Sequence, residues 1–263
     1  MIVAGCDIGS LTAKAVIMKD NTIIGYSVIK GKAKPEDSAN DVMSNLLEKT
    51  HLTMDQISYV VGTGYGRNKI PFVNTTISEI TCHGKGAQWI MPTVRTVIDI
   101  GGQDCKVVKL DNKGNIVKFS TNDKCAAGTG RFLEVMSNVL GVSLDELGII
   151  SEQATDPINL ASTCTVWAQA EVIRYLNMKK PIPDIAAAIN YAMANRVAIL
   201  ANQVTVEKDV CMSGGVAKNK GVVAELERLL GVKIKRLKYD PQIVGAIGAA
   251  ILAREKIMGD KQL

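Results

Sequence analysis

Two short segments of the sequence combine an aspartate, small residues and a lysine in the same order. One begins at Asp7 and reads D-I-G-S, and the other begins at Asp99 and reads D-I-G-G; Lys14 and Lys106 follow each aspartate at the same distance. Glycine lets a backbone approach a phosphate chain closely, and a carboxylate at a strand end can hold Mg²⁺ through its waters. The two segments therefore predict a pair of phosphate-binding loops for a magnesium nucleotide.

The residue types in these loops suit different parts of a nucleotide site. Asp7 and Asp99 are assigned to the metal, and the uncharged amide of Gln103 suits the orientation of an attacking water. A third glycine turn, at Gly214 and Gly215, precedes a predicted helix and suits an adenosine or phosphate edge. The residues assigned to nucleotide binding are Gly9, Ser10, Leu11, Thr12, Ala13, Lys14, Gly101, Gly102, Gly214, Gly215, Ala217, Lys218, Asn219 and Gln242.

The spacing of the two loops indicates an internal duplication. Asp7 and Asp99 are 92 residues apart, and the Asp-Asn turns that begin at Asp20 and Asp111 are 91 residues apart. A single glycine loop is explained as well by an ordinary structural turn, whereas two matched copies favour a repeated unit. The repeat predicts two lobes, each with a glycine loop between strands, facing a cleft.

Two cysteines lie in a second kind of setting. Cys125 precedes a glycine turn and a predicted helix, and Cys164 lies at another predicted helix start with Ser162 or Thr163 as its expected N-cap. Helix N-termini stabilise thiolates, and four thiolates hold an iron–sulfur cluster, so a two-fold dimer of this chain could supply all four. On spacing alone, two small buried cysteines explain the pair better.

The apolar pattern predicts the elements that carry these residues. Strands are expected at 2–6, 15–18, 59–61 and 210–212, and a loop around Pro35 precedes a helix that contains Val42 and Leu46. Later helices are expected along the stripe Ile185, Ile189, Met193, Val197 and Leu200, from the Gly214–Gly215 turn to Gly231, and over 244–253. The predicted lobes are residues 1–95 with 244–263, and residues 96–243.

The composition predicts a cytoplasmic globular protein. The chain has 263 residues, 47% hydrophobic and 22% charged, with a net charge of +5, which argues against disorder. Scattered basic residues without interleaved aromatics argue against nucleic acid, and no apolar run predicts a membrane span or a signal peptide. Packing is the expected role of Cys6, Cys82, Cys105, Cys211, Trp89 and Trp167, and His51 and His83 are interpreted as structural or exposed.

Five blocks of the sequence resemble one known family: residues 62–67, 98–104, 122–133, 162–166 and 212–217. They resemble the activator component of 2-hydroxyacyl-CoA dehydratases, a family that includes the ATPase subunits of benzoyl-CoA reductases, and the resemblance covers essentially the whole chain. It implies an α/β fold of the duplicated actin-like (ribonuclease-H-like) type, with two lobes around a nucleotide cleft. The elements of that fold map to residues 7–14, 77–88, 98–106, 210–219 and 244–253.

The resemblance also implies an activity. It implies a homodimeric ATPase that binds ATP or ADP with Mg²⁺ and shares one 4Fe–4S cluster between subunits through Cys125 and Cys164. ATP hydrolysis would drive one electron into a cluster-containing partner, a reductase or a dehydratase. A reduced ferredoxin or flavodoxin would reload the cluster, and the protein would need anaerobic handling.

The sequence departs from the family at two places, which leaves alternatives open. Leu11 and Ala13 replace hydroxyl residues of the first loop, and Trp167, Gln169 and Ala170 replace a usual Phe, Glu and Ser after Cys164, although Glu171 is kept. The partner could therefore be a double-cubane cluster protein or a benzoyl-CoA reductase-like enzyme. A small-molecule kinase of the same fold, or a nucleotide-dependent interaction module, is a further alternative.

Overall fold

The computed structural model describes residues 1–122, 125–156, 158–161 and 164–260. The chain divides into two compact units. The first contains Met1–Val97, Leu110–Val117 and Arg236–Leu263, and the second contains Ile98–Lys109 and Lys118–Lys235. The sequence-based lobes, with boundaries at 95/96 and 243/244, stay a prediction.

Ten strands and eight α-helices form the described parts of the two units. The strands are β1 Ile2–Ile8, β2 Thr12–Lys19, β3 Thr22–Lys30, β4 Tyr59–Thr63, β5 Thr75–Thr76, β6 Thr96–Ile100, β7 Cys105–Leu110, β8 Ile116–Asn122, β9 Val210–Ser213 and β10 Ile234–Lys235. The helices are α1 Pro35–Thr50, α2 Glu79–Ile90, α3 Gly130–Leu140, α4 Leu144–Ile150, α5 Thr165–Asn177, α6 Ile182–Asn202, α7 Lys220–Leu230 and α8 Val244–Asp260. Among the residues that the structure describes, no helix is long and apolar enough to cross a membrane.

The two sheets have the same strand order. The first runs β3-β2-β1-β4-β5, and the second runs β8-β7-β6-β9-β10 when it is read from β8. In the first sheet β1 pairs antiparallel with β2 and parallel with β4, and the register sets Asp7 opposite Lys14. This common order confirms the duplication that the matched loops predict.

Strand β1 is apolar from Ile2 to Cys6 because both of its faces are covered, and Asp7 is the charged residue near its end. Ala4, Cys6 and Ile8 belong to one buried cluster with residues of α1, and Val3 belongs to another with residues of α8. Helix α8 also packs closely against α2, where a Cβ added to Gly248 would lie 1.8 Å from the carbonyl oxygen of Cys82. The prediction that the small residues of the last helix permit close packing is confirmed.

Helix α6 is the central helix of the second unit. The predicted apolar stripe from Ile185 to Leu200 is buried in the core of that unit. At the start of the helix, the buried carboxylate of Asp184 accepts hydrogen bonds from the N–H groups of Thr155 and Asp156 at 2.8 and 3.1 Å. The buried stripe and the hydrogen bonds of Asp184 therefore hold α6 in place within the second unit.

Two of the predicted boundaries are wrong. Pro35 lies in the first turn of α1, not in a loop, because proline has no N–H to lose there and its φ suits a helix. The single helix expected before Gly231 is a short 3-10 helix, Gly215–Lys218, followed by α7. The break occurs because the side chain of Asn219 caps α7, accepting a hydrogen bond from the N–H of Val222 at 3.0 Å.

Candidate functional site

The loop between β1 and β2 holds an ion pair at its base. Asp7 is only 3% exposed, and its Oδ2 lies 3.4 Å from Nζ of Lys14, the residue opposite it in the register. The N–H of Gly9 donates to the carbonyl of Thr12 at 3.0 Å and closes the turn. Ser10 is exposed at the tip, whereas the side chain of Ala13 is in the core. Ala13 can therefore offer a ligand only its backbone.

The loop between β6 and β7 repeats this arrangement. Asp99 is also 3% exposed, with its Oδ2 3.6 Å from Nζ of Lys106, and the N–H of Gly101 donates to the carbonyl of Asp104 at 2.9 Å. Gly102 is half-buried, and Gln103 is exposed at the tip. Here Lys106 has a second carboxylate, since Oδ2 of Asp104 lies 2.6 Å from its Nζ.

A glycine with left-handed backbone lies against each buried aspartate. Gly64 follows β4 with φ 87°, and a Cβ added there would lie 2.4 Å from Oδ1 of Asp7. Gly214 follows β9 with φ 84°, and its added Cβ would lie 3.0 Å from Oδ1 of Asp99. Gly214 is among the residues predicted for the site from the sequence, and Gly64, its counterpart, is not. The missed signal is that Thr63-Gly64 and Ser213-Gly214 occupy matching positions in the two sheets.

The two aspartates differ in their remaining neighbours. The hydroxyl of Ser213 donates to Oδ1 of Asp99 at 2.9 Å, whereas the hydroxyl of Thr63 donates to the carbonyl of Ile77 instead. Asp7 and His83 both lie against Gly245. A Cβ added to Gly245 would lie 2.8 Å from Nε2 of His83 and 2.9 Å from Oδ2 of Asp7. His83 is thus a buried neighbour of a predicted metal residue, and nothing in the sequence predicts this.

The other residues assigned to the nucleotide lie at two further places. Gly215 and Lys218 are exposed in the short helix after β9, and Ala217 is half-buried there. The side chain of Asn219 caps α7 and donates to Oδ1 of Asn190 at 3.3 Å, so its amide has structural partners. Gln242 is half-buried before α8, and its N–H donates to the carboxylate of Asp240 at 2.9 Å.

The six cysteines fall into two groups. Cys125 and Cys164 are exposed, and the other four are buried. Burial raises the pKa of Cys82 and of Cys211 to about 12, and it raises the pKa of Cys6 and Cys105 further. Since the thiolate is the nucleophile and the metal ligand, the two exposed thiols are the available ones.

Cys125 lies in a turn and not at a helix start. The amide of Asn122 closes this turn, donating to the carbonyls of Cys125 at 3.1 Å and Ala127 at 3.3 Å and accepting from the N–H of Cys125 at 3.3 Å. Gly128 then has φ 93°, and α3 begins only at Gly130, with Thr129 at its N-cap position. The expectation that Cys125 precedes a glycine turn and then a helix is confirmed, since residues 125–129 form the turn and α3 follows it.

Cys164 occupies the N-cap position of α5. Ser162 and Thr163, which were expected to cap this helix, lie outside the described residues. Thr165 Oγ1 is buried without a hydrogen-bond partner among the described residues. Trp167 is 68% exposed, and the neighbouring Val166 is 69% exposed. The expected packing role of Trp167 is therefore wrong.

Arg196, which the sequence does not predict for the site, interacts with both cysteines. The guanidinium of Arg196, on α6, forms a side-chain hydrogen bond with Cys125 and interacts electrostatically with Cys164. Burial lowers the pKa of Arg196, and its contacts with both cysteines oppose that change. Both exposed thiols therefore lie around one positive charge.

This donor set fits half of an iron–sulfur site. Within the described ranges, no three Cys, His, Asp or Glu side chains come together as a metal site. Two thiols around one guanidinium, beside the unpartnered hydroxyl of Thr165, suit an anionic sulfur-ligated group that takes two further thiolates from elsewhere. The residues present fit a cluster shared between two chains.

The comparisons with known proteins point in one direction. The activator of lactoyl-CoA dehydratase from Anaerotignum propionicum is 44% identical, and the match covers 97% of this chain and 98% of the relative. The (R)-2-hydroxyglutaryl-CoA dehydratase activating ATPase from Acidaminococcus fermentans is 43% identical over 96% of both chains.

A solved structure is equally similar. The activator of the 2-hydroxyisocaproyl-CoA dehydratase from Clostridium difficile, with bound ADPNP, superposes with a TM-score of 0.95 at 42% identity, covering 100% of this chain and 98% of that one. The actin-like α/β fold predicted from the sequence is confirmed. The model described as the BadF/BadG/BcrA/BcrD ATPase family matches residues 4–253. The chain therefore belongs to the BadF/BadG/BcrA/BcrD ATPase family and is an ATP-hydrolysing enzyme.

Proposed function

We propose that this ATPase is a homodimeric, ATP-dependent donor of low-potential electrons. Its partner is an iron–sulfur enzyme of the 2-hydroxyacyl-CoA dehydratase type, and its own 4Fe–4S cluster is shared between two copies of the chain. Several relatives that match nearly the whole chain are named as activators of such dehydratases, which supports the choice of partner.

One observation carries the proposal: the two exposed cysteines lie around a single guanidinium, while the other four are buried. Cys125 and Cys164 interact with Arg196. An ATPase of this fold does not need two available thiols at one place for hydrolysis itself. Cys125 and Cys164 of each copy would hold the cluster, which supplies the storage and transfer of one electron.

The nucleotide residues have distinct roles in this proposal. Asp7 and Asp99, each in its own loop, would hold Mg²⁺ through its waters, and the turns closed by Gly9 and Gly101 would present backbone N–H groups to the phosphates. Gln103, exposed at the tip of its loop, orients the attacking water. Gly214 and its neighbours serve the adenosine side. The bound ADPNP in the similar solved structure supports a nucleotide of this class.

The second phosphate loop is connected to the cysteine region through the backbone. The N–H groups of Gly130 and Arg131, at the start of α3, donate to the carbonyls of Gly101 and Gly102 at 2.8 and 2.9 Å. Cys125 lies five residues before Gly130 along the chain. A shift of this loop on hydrolysis would move the start of α3 and, through the turn, Cys125.

Anaerobic purification tests the proposal. A two-fold dimer with four thiolates should bind about four irons per dimer, show a brown colour and lose it in air. The cluster should be reducible by a reduced ferredoxin or flavodoxin. A protein that binds no iron, or a monomer with the full iron content, would contradict it.

The second candidate function is the same ATP-dependent electron donation to a different iron–sulfur partner. Trp167 is exposed three residues after Cys164, where the family usually has phenylalanine. A changed aromatic residue on this surface favours a changed partner, such as a double-cubane cluster protein or a benzoyl-CoA reductase-like enzyme. Measuring ATP-dependent electron transfer to each purified class of partner separates the two.

A further inference from the structure

Arg196 reaches the cysteines from a part of the chain that is distant in sequence. It lies on α6, between the buried residues Met193 and Val197 that fix this turn of the helix in the core. Its guanidinium forms a hydrogen bond with Cys125 and acts on the charge of Cys164. One side chain thus contacts one exposed thiol and lies close enough to influence the other.

The turn that contains Cys125 is shaped around the stem of Arg196. A Cβ added to Gly128 would lie 3.4 Å from Cβ and 3.8 Å from Cδ of Arg196, and 3.7 Å from the amide nitrogen of Asn122. Asn122 is the residue whose side chain closes the turn around Cys125. The stem of Arg196, the turn and the amide of Asn122 therefore pack together. This packing holds the guanidinium of Arg196 at Cys125.

We propose that Arg196 is the positioning residue of the cluster site: it holds Cys125 in place and supplies the positive charge that offsets the thiolates of Cys125 and Cys164. The proposal rests on the proposed function and names a residue that this function does not itself require. Two copies of the chain contribute two such guanidinium groups to four thiolates.

A positive charge and a hydrogen bond at a ligand sulfur have a defined effect on an iron–sulfur site. Net charge and hydrogen bonds to the sulfurs are among the factors that set the reduction potential of a cluster. The reduced form carries one more negative charge than the oxidised form, so a nearby guanidinium stabilises it more. Loss of Arg196 should therefore favour the oxidised form and lower the potential.

The test compares three variants in the full-length protein, purified and reconstituted with iron and sulfide under anaerobic conditions. Arg196→Gln removes the charge, and Arg196→Lys keeps the charge but loses the planar fork of donors. Arg174→Gln is the matched control, since Arg174 is exposed on α5, ten residues and about 15 Å along the helix from Cys164. Iron per dimer, the midpoint potential from a titration with dithionite followed by electron paramagnetic resonance, and nucleotide binding are measured for each.

We expect Arg196→Gln to shift the redox equilibrium about tenfold towards the oxidised form, equal to about 59 mV for one electron, with a lower iron content. Arg196→Lys should shift it less, and Arg174→Gln not at all. Nucleotide binding, unchanged in all three, shows that the fold is intact. If Arg196→Gln fails to fold, Arg196→Lys decides, because wild-type potential and iron content in that variant would exclude a role for the guanidinium.

The outcomes separate this inference from the function on which it rests. Wild-type iron content and potential in folded Arg196→Gln would overturn the role of Arg196 and leave the proposed function standing. A wild-type protein without iron would overturn the proposed function and this role together. An equal shift in Arg174→Gln would reduce the effect to one of overall charge and would also overturn the inference.

Discussion

The N–H of Gly130 donates a hydrogen bond of 2.8 Å to the carbonyl of Gly101. Gly101 lies in the second proposed phosphate loop, between β6 and β7, and Gly130 is the first residue of α3. The next pair, Arg131 and Gly102, repeats the contact at 2.9 Å. Two peptide groups of the loop are therefore bonded to the helix that follows the turn around Cys125, which gives the nucleotide a short route to a proposed cluster ligand.

The first prediction concerns this backbone contact. A Cβ added to Gly130 would lie 3.0 Å from the carbonyl oxygen of Gly101 and 3.5 Å from Cα of Gly102. Gly130→Ala should therefore push the loop from α3 and weaken the coupling between ATP hydrolysis and electron transfer several-fold, while iron binding persists. Gly259→Ala, a helical glycine with no atom within 4 Å of the added Cβ, is the control. The ratio of ATP hydrolysed to electrons transferred is the measurement, and an unchanged ratio in Gly130→Ala would refute this route.

The second prediction concerns the two buried ion pairs. Asp7→Asn and Asp99→Asn keep the shape of each side chain but remove the charge that is proposed to face the metal. Mg-dependent ATP hydrolysis should fall by about two orders of magnitude, the scale of several kcal/mol of lost metal-ion stabilisation. Lys14→Ala should weaken nucleotide binding. Asp7→Asn removes the carboxylate that faces Lys14, whereas Lys106 still has the carboxylate of Asp104 at 2.6 Å after Asp99→Asn. Circular dichroism must therefore confirm folding, above all for Asp7→Asn.

Asp55→Asn serves as the control for these variants, since Asp55 is exposed and remote from both loops in sequence. It should retain wild-type hydrolysis. Full activity in both Asp7→Asn and Asp99→Asn would remove the two loops from the chemistry.

The third prediction separates backbone strain from crowding at the paired glycines. Gly64→Ala and Gly214→Ala force alanine into a backbone with positive φ, which costs about 1–3 kcal/mol. The added methyl group would also press against Asp7 and the carbonyl of Ile8 at Gly64, and against the carbonyl of Ile100 and then Asp99 at Gly214. Gly231 also has a positive φ, 63°, but no atom lies within 4 Å of the added Cβ. Gly231→Ala therefore introduces backbone strain without crowding. Urea unfolding should give a larger loss of stability for Gly64→Ala and Gly214→Ala than for Gly231→Ala, and only those two should also lose nucleotide affinity. Equal losses of stability in all three variants would mean that crowding at Gly64 and Gly214 is unimportant.

The sequence predicts those parts of the site that are local in the chain. Asp7 and Lys14 are seven residues apart on one hairpin, and the same motif recurs at Asp99, so composition and spacing reveal both pairs. The strand order follows from the same repeat. Gly64 was missed because its match with Gly214 is a match of position in the sheet, with few shared residue types around it.

Long-range contacts are the parts that the sequence does not reveal. Arg196 is 71 residues from Cys125, and within α6 it is one polar residue beside a buried apolar stripe, as on any amphipathic helix. His83 is an isolated histidine in the sequence and approaches Asp7 only through the packing of α2 and α8 around Gly245. The exposure of Trp167 is equally a property of the tertiary structure, since tryptophan is more often buried than not.

The fourth prediction concerns the six cysteines. Cys125→Ser or Cys164→Ser removes one of two available thiols per chain, and so two of four ligands from a cluster shared by a dimer. Either variant should lose the brown colour, the iron and electron transfer, yet keep nucleotide binding, because the phosphate loops retain all their residues.

Cys6→Ser, Cys82→Ser, Cys105→Ser and Cys211→Ser should each keep the cluster. Those four substitutions should instead cost about 1–3 kcal/mol of stability, since they bury a hydroxyl in place of a thiol. Anaerobic iron analysis, electron paramagnetic resonance and thermal unfolding on all six variants give the measurement. Iron that depends on Cys82 or Cys105 but not on Cys125 would show that the ligands are assigned to the wrong cysteines.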